Sequence, residues 1–176
     1  MNLPNALTLL RVAIVPFFGI VLAHRDARAS SIAALLFLLA AATDNLDGYI
    51  ARSRNLVTTF GEIMDPIADK ALVATAAIML SVQHRLAVWI TVVILAREFL
   101  VTGLRFVALR RNVVIAASPW GKWKTASQIL GLLLVLLPLE PAAFWLRDTA
   151  MYVAVALTLW SGIDYMLAYR RPARAE

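Results

Sequence analysis

The sequence DNLDGYIARSRNLVTTFGEIMDPIAD, which runs from Asp44 to Asp69, decides the architecture of this chain. Four aspartates in it lie beside or inside segments that are otherwise apolar enough for a bilayer, namely Asp44, Asp47, Asp65 and Asp69. An ionised carboxylate at membrane depth costs at least ~2.5 kcal/mol. The chain has only eleven acidic residues, so this concentration of carboxylates requires a specific compensating partner.

The spacing of the aspartates indicates what that partner is. In helices, one stripe repeats at i, i+3, i+4 and i+7 and consists of Asp44, Asp47, Gly48 and Ala51. A second stripe repeats at i, i+4 and i+8 and consists of Gly61, Asp65 and Asp69. Two helices facing each other along these stripes would bring the carboxylates together, and the small residues would leave room for a large ligand. All-oxygen ligation favours a hard cation such as Mg²⁺ or Mn²⁺, which in turn implies a phosphate-bearing substrate.

A purely structural network of ion pairs is the alternative, with Arg52, Arg54 and Lys70 as the available cations. Acidic residues in membrane helices are often neutralised in this way. Such a network explains neither the doubled carboxylate spacing nor the small residues on the same stripes. We therefore favour the metal site.

The composition predicts an integral membrane protein. The 176 residues are 61% hydrophobic, and the mean hydropathy is +0.76. We predict an all-α membrane protein with six transmembrane helices that form a single membrane-embedded domain over residues 1–176. The net charge of +6 suits an anionic lipid surface and an anionic substrate. The chain has no cysteine, which excludes disulfides and thiolate metal sites.

The apolar runs place the six spans. The first covers about residues 1–22, and the lack of Lys and Arg in its first ten residues argues against a cleaved signal peptide. The second begins near residue 30, the third near 58, and the fourth covers about 86–109. The fifth follows a predicted loop, SPWGKWKT, and ends near 138, and the sixth covers about 144–169. Arg and Lys are concentrated in the loops on the Asp44 side, so we expect that side and both termini to face the cytoplasm from the inner membrane.

The pattern Asp44-x2-Asp47-Gly48-x2-Ala51-Arg52-x8-Gly61-x3-Asp65-x3-Asp69 resembles, without departure, the signature of the CDP-alcohol phosphatidyltransferases. The resemblance implies a six-helix enzyme that moves the phosphatidyl group of CDP-diacylglycerol to an alcohol and releases CMP. It implies two Mg²⁺ or Mn²⁺ ions on the four aspartates, with Asp69 as the general base, although the spacing alone leaves open whether Asp65 has that role. It further implies a homodimer and a CDP-lipid site that includes Gly48, Ala51, Arg52 and Gly61. Asn5 and Thr8 recur at helical spacing in the first span, and we add them to this site; an ordinary helix entry with Asn5 as its cap is the alternative.

Further segments indicate the acceptor alcohol. NLPNALTLLRVAIVPF, AREFLVTGLR and ASPWGKWKTASQ resemble the branch of the family that uses sn-glycerol 3-phosphate and forms phosphatidylglycerophosphate. A phosphorylated acceptor suits a cluster of basic residues, because guanidinium and ammonium groups bind phosphate. We predict that this cluster consists of Arg105, Arg110, Lys122 and Lys124.

Three alternatives remain at this stage. The basic residues could only obey the positive-inside rule, without binding an acceptor. Cardiolipin synthesis, with phosphatidylglycerol as the acceptor, is the nearest competing activity. A small ion or proton transporter would also carry intramembrane charges, but its charges would extend through the full membrane depth.

Overall fold

The computed structural model describes residues 3–53, 59–110 and 119–170, with the side chains of residues 9–43, 67–108, 110 and 119–169. In these residues the backbone forms six α-helices and no strand. The helices are α1 (Leu3–Ala23), α2 (Ala27–Ser53), α3 (Thr59–Val82), α4 (Val88–Arg110), α5 (Pro119–Leu136) and α6 (Phe144–Arg170). A 3₁₀ turn, Pro141–Ala143, leads directly into α6. The predicted all-α fold is thus confirmed.

Two helices begin earlier than the apolar runs suggested. α2 starts at Ala27 rather than near Ser30, because the Asp26 carboxylate accepts a hydrogen bond of 2.7 Å from the backbone N–H of Ala29 and caps the helix. α5 starts at Pro119, a residue type that favours the first turn of a helix. The predicted loop SPWGKWKT contains Lys122 and Lys124. In the structure both residues lie on α5 itself.

The helices pack through small and medium-sized side chains. α1 packs against α2 and α3, while α4 and α5 both pack against α6. The core combines large residues such as Phe18, Phe37 and Leu132 with many alanines, which allow helix axes to approach closely. At Gly131 a Cβ atom would lie 2.6 Å from the sulfur of Met151. Glycine at this position lets α5 approach α6.

The outer surface of the bundle is apolar on every helix. Large exposed side chains include Ile20 on α1, Leu35 on α2, Ile78 on α3, Phe99 on α4, Trp123 on α5 and Trp145 on α6. Phe99 is 76% exposed. Soluble monomers rarely carry so much contiguous exposed apolar surface. The surface is that of a membrane-associated protein.

By length and composition, one helical segment among the described residues, Pro141–Tyr169, is suited to crossing a membrane on its own. Two shorter apolar helical segments are Leu9–Ala23 and Ala27–Thr43. The presence of six helices is observed, whereas the crossing of the bilayer by all six stays a prediction.

Arg85 ties the helices together at the end of the bundle that holds the α3–α4 turn. Its guanidinium donates hydrogen bonds to the Ser30 hydroxyl at 2.8 Å and to the Leu136 carbonyl at 3.0 Å. It also donates to the neighbouring carbonyls of Val135 and Leu137, so it satisfies several carbonyl groups at the end of α5. Burial, and to a lesser extent the charge of Arg147, lower the pKa of Arg85. A guanidinium nevertheless stays protonated in proteins.

Candidate active site

The two predicted carboxylate stripes lie on α2 and α3, two helices in contact with each other. α2 carries Asp44, Asp47, Gly48, Ala51 and Arg52, and α3 carries Gly61, Asp65 and Asp69. Of these residues, Asp69 alone has a described side chain; the others, and Asn5 and Thr8 on α1, lie outside the described side chains. The convergence of all four carboxylates therefore stays a prediction. Asp69 marks the position in the bundle at which such a site would lie.

Asp69 is partly buried near the middle of α3, between the fully packed Ala68 and Leu72. The charged groups that act on its carboxylate come from four helices. They are, in order of their influence, Lys124 on α5, Arg11 on α1, Glu98 on α4 and its own neighbour Lys70. Asp69 thus lies within electrostatic range of charged side chains on α1, α4 and α5.

Asp69 is the one predicted metal ligand whose side chain is described. Asp69 forms no salt bridge with another described side chain. No group of three His, Cys, Asp or Glu residues suited to a metal occurs among the described side chains, a set that omits the other three aspartates. Carboxylate oxygens are the ligands that Mg²⁺ and Mn²⁺ prefer.

Lys124 forms a buried ion pair within electrostatic range of Asp69. Its side chain is 7% exposed, and its ammonium donates a hydrogen bond to the Glu98 carboxylate, whose side chain is 14% exposed. Nη1 of Arg97 lies 3.7 Å from the same carboxylate oxygen. Two cations and one anion from α4 and α5 therefore share a largely dry space.

Lys70 reaches the same part of α4 through a hydroxyl group. Its ammonium donates a hydrogen bond of 2.6 Å to the Thr102 hydroxyl. That hydroxyl in turn donates to the backbone carbonyl of Glu98, also at 2.6 Å. Lys70 is therefore fixed against α4, so that α3 and α4 are joined on the side where Asp69 lies.

Arg11 joins α1 to the part of α2 that precedes the signature. The residue is 1% exposed, and its Nε–H donates a hydrogen bond of 3.3 Å to the Ala40 carbonyl. The hydroxyl of Thr43 donates to the same carbonyl at 2.9 Å. A buried guanidinium is therefore held one helical turn before Asp44 and within electrostatic range of Asp69.

Two buried hydrogen-bond donors on the α4–α6 side have no partner among the described side chains. They are Nε of Arg97 and the hydroxyl of Tyr165, which is 6% exposed. Nη2 of Arg97 donates to the Ser161 hydroxyl at 3.0 Å, and that hydroxyl donates to the Thr158 carbonyl. Buried polar groups are normally paired, so two free donors near a cationic cluster are suited to an anionic ligand.

The four basic residues predicted to bind the acceptor phosphate differ in burial. Lys124 is buried beside Glu98, whereas Arg105, Arg110 and Lys122 are exposed. Residues two positions apart point about 200° apart around a helix, so Lys122 and Lys124 face different directions. The Arg110 guanidinium stacks on the ring of Phe106 at 4.4 Å. Lys124 is thus the member of the predicted set that the structure brings next to Asp69.

Glu98, Tyr165 and Arg11 border the site although the sequence did not assign them a role there. A signal exists in the polar spacing: Thr158, Ser161 and Tyr165 repeat at i, i+3 and i+7 along an otherwise apolar α6. On α5, Lys124 and Gln128 are four residues apart. The Gln128 side chain donates to the Thr158 hydroxyl at 2.8 Å, so the two polar faces meet.

Comparison with known proteins gives consistent matches over almost the whole chain. The family model for CDP-alcohol phosphatidyltransferases matches residues 1–160. The CDP-diacylglycerol–glycerol-3-phosphate 3-phosphatidyltransferase of Bacillus subtilis is 45% identical, over 93% of this chain and 93% of its own length. The protein of the same name from Haemophilus influenzae is 40% identical, over 94% and 91%. A probable phosphatidylglycerophosphate synthase of Mycobacterium tuberculosis is 42% identical, over 94% and 80%. The chain belongs to the CDP-alcohol phosphatidyltransferase family.

Proposed function

We propose that this protein transfers the phosphatidyl group of CDP-diacylglycerol to sn-glycerol 3-phosphate, forming phosphatidylglycerophosphate and CMP. The reaction leads to phosphatidylglycerol and cardiolipin. Relatives that carry the name of this reaction are similar along more than nine-tenths of the chain, which includes the segments outside the family signature. In the structure, the observation that carries the proposal is the buried Lys124 beside Asp69, because a buried cation next to the reacting groups suits an anionic acceptor.

The proposed chemistry is a displacement at phosphorus. A glycerol hydroxyl of the acceptor forms a new bond to the phosphorus that bears diacylglycerol, and the bond from that phosphorus to CMP breaks. Asp69 takes the proton of the attacking hydroxyl as the general base. Its partly buried position on α3, within electrostatic range of Lys124, suits contact with a bound acceptor.

The four aspartates are proposed to hold two Mg²⁺ or Mn²⁺ ions. Bound divalent ions neutralise the charge of a pyrophosphate and make CMP a better leaving group. The chain contributes Asp44 and Asp47 from α2, and Asp65 and Asp69 from α3. The family membership supports this proposal, as does the lack of a salt bridge between Asp69 and any other described side chain.

The two substrates are proposed to enter from different sides. CDP-diacylglycerol keeps its acyl chains in the bilayer, with its head group against Asn5, Thr8, Gly48, Ala51, Arg52 and Gly61. The acceptor phosphate binds near Lys124, where the free donors of Arg97 and Tyr165 are also available. The exposed Arg105, Arg110 and Lys122 attract the anionic acceptor to this end of α4 and α5.

We propose that all six helices span the inner membrane and that the active site faces the cytoplasm. The apolar outer surface supports the first statement, and the excess of basic residues in the loops beside the site supports the second. The proposed homodimer rests on the family membership.

A headgroup assay tests the acceptor. Purified protein with CDP-diacylglycerol would be offered sn-glycerol 3-phosphate, phosphatidylglycerol, inositol 1-phosphate and serine in parallel reactions. We expect incorporation of glycerol 3-phosphate alone. Incorporation of only phosphatidylglycerol would instead establish cardiolipin synthesis and refute the proposed acceptor.

A further inference from the structure

Glu98 is a second carboxylate beside the reacting groups, and the family signature does not include it. It lies on α4, on the side of the bundle where Asp69 and Lys124 meet. Its side chain is 14% exposed, and its carboxylate contacts the ammonium of Lys124. The charge balance around Asp69 therefore includes a carboxylate that has not been given a role.

The pairing of Lys124 is selective. Its ammonium is influenced by both Glu98 and Asp69, but the ion pair that forms is with Glu98. No salt bridge joins Lys124 to Asp69 among the described side chains. Glu98 thus fixes the direction of the lysine side chain, and Lys124 does not cover the Asp69 oxygens.

Stability alone is a poor explanation for this pair. Taking a lysine and a glutamate out of water carries a desolvation penalty that their attraction often fails to exceed. An apolar pair of similar volume would stabilise the helix contact at least as well. A pair that contributes little net stability, and that lies beside the proposed base, is better explained by the position it gives to Lys124.

The geometry has two consequences for the reaction. An ammonium group has three N–H donors, and with Glu98 as one acceptor the others are available to oxygens of a bound phosphate. Without Glu98, Asp69 is the described carboxylate that remains within electrostatic range of Lys124. An ion pair between these two residues would cover the oxygens that must bind a cation or accept the proton of the acceptor.

We propose that Glu98 is a positioning residue, which holds Lys124 toward the acceptor phosphate and away from Asp69. The inference rests on the proposed function, because it assigns a role within that same site. It concerns how the acceptor is held and not which chemistry takes place.

A double-mutant cycle tests the inference. In Glu98→Gln, we expect the KM for glycerol 3-phosphate to rise about tenfold, which corresponds to about 1.4 kcal/mol of acceptor binding. We expect the KM for CDP-diacylglycerol to change by less than about twofold. In the Lys124→Ala background, Glu98→Gln should have almost no further effect on the acceptor KM, because the residue it positions is gone. Glu140→Gln, in the turn before α6, is the matched control and should leave both KM values unchanged.

Several results would overturn the inference. An unchanged acceptor KM in Glu98→Gln would do so, as would an equal rise with and without Lys124, or a Lys124→Ala variant with wild-type acceptor KM. If Glu98→Gln does not fold, Glu98→Asp can replace it in the same cycle. The KM for glycerol 3-phosphate should then rise a few-fold when Lys124 is present and stay unchanged in the Lys124→Ala background. Failure of the proposed function is seen separately, in a wild-type enzyme that does not incorporate glycerol 3-phosphate.

Discussion

Replacement of Lys124 by alanine is the perturbation that the structure makes most informative. The side chain is almost fully buried and lies beside both Glu98 and Asp69. If it donates to the acceptor phosphate, its loss removes a charge-assisted hydrogen bond worth roughly 1.5 to 3 kcal/mol. The acceptor affinity should then fall by roughly ten- to a hundredfold.

The assay for this prediction measures the KM values for both substrates. The contact is present in the ground state and in the transition state, so the loss should appear in the KM for glycerol 3-phosphate. The KM for CDP-diacylglycerol should change little. Lys122→Ala is the comparison on the same helix; because Lys122 is exposed, we expect less than a threefold change. Equal changes in the acceptor KM for the two substitutions would refute the reasoning. They would show that acceptor binding depends on the general positive charge at the start of α5 and not on Lys124 itself.

Three further predictions address the metal, the fold and the assembly. Activity should require Mg²⁺ or Mn²⁺, and Asp44→Asn, Asp65→Asn or Asp69→Asn should lower kcat by at least about a hundredfold without preventing membrane insertion; full turnover in excess EDTA would contradict this. Arg85→Ala should lower the stability by about 1–3 kcal/mol, measured as a lower Tm, because it removes the donor to Ser30 and to the end of α5. The exposed Arg28→Ala should shift the Tm by much less, and equal shifts would count against that role of Arg85. Crosslinking in native membranes should capture a homodimer, and capture of monomer alone would exclude it.

Much of the fold follows from the sequence because apolar runs of about twenty residues leave little choice of structure in a membrane. Their boundaries are less predictable where one polar residue decides them. The Asp26 cap starts α2 three residues before the apolar run, and Pro119 places Lys122 and Lys124 on a helix. Neither effect is visible in hydropathy alone.

The candidate site is only partly readable from the sequence. Regular spacing within one helix predicted the stripe that contains Asp69, because that relation is local. The contact between Glu98 and Lys124 joins residues 26 positions apart and depends on how α4 and α5 come together. The sequence alone therefore predicts one phosphate-binding cluster with both Lys122 and Lys124, although the two side chains point in different directions on α5.

The central claim is tested most directly by the products of the purified wild-type protein. With CDP-diacylglycerol and labelled sn-glycerol 3-phosphate in the presence of Mg²⁺, we predict that one labelled phosphatidylglycerophosphate appears in the lipid phase for each CMP released. Neither product should form when either substrate is omitted. Release of CMP without transfer of the label to lipid would contradict the account.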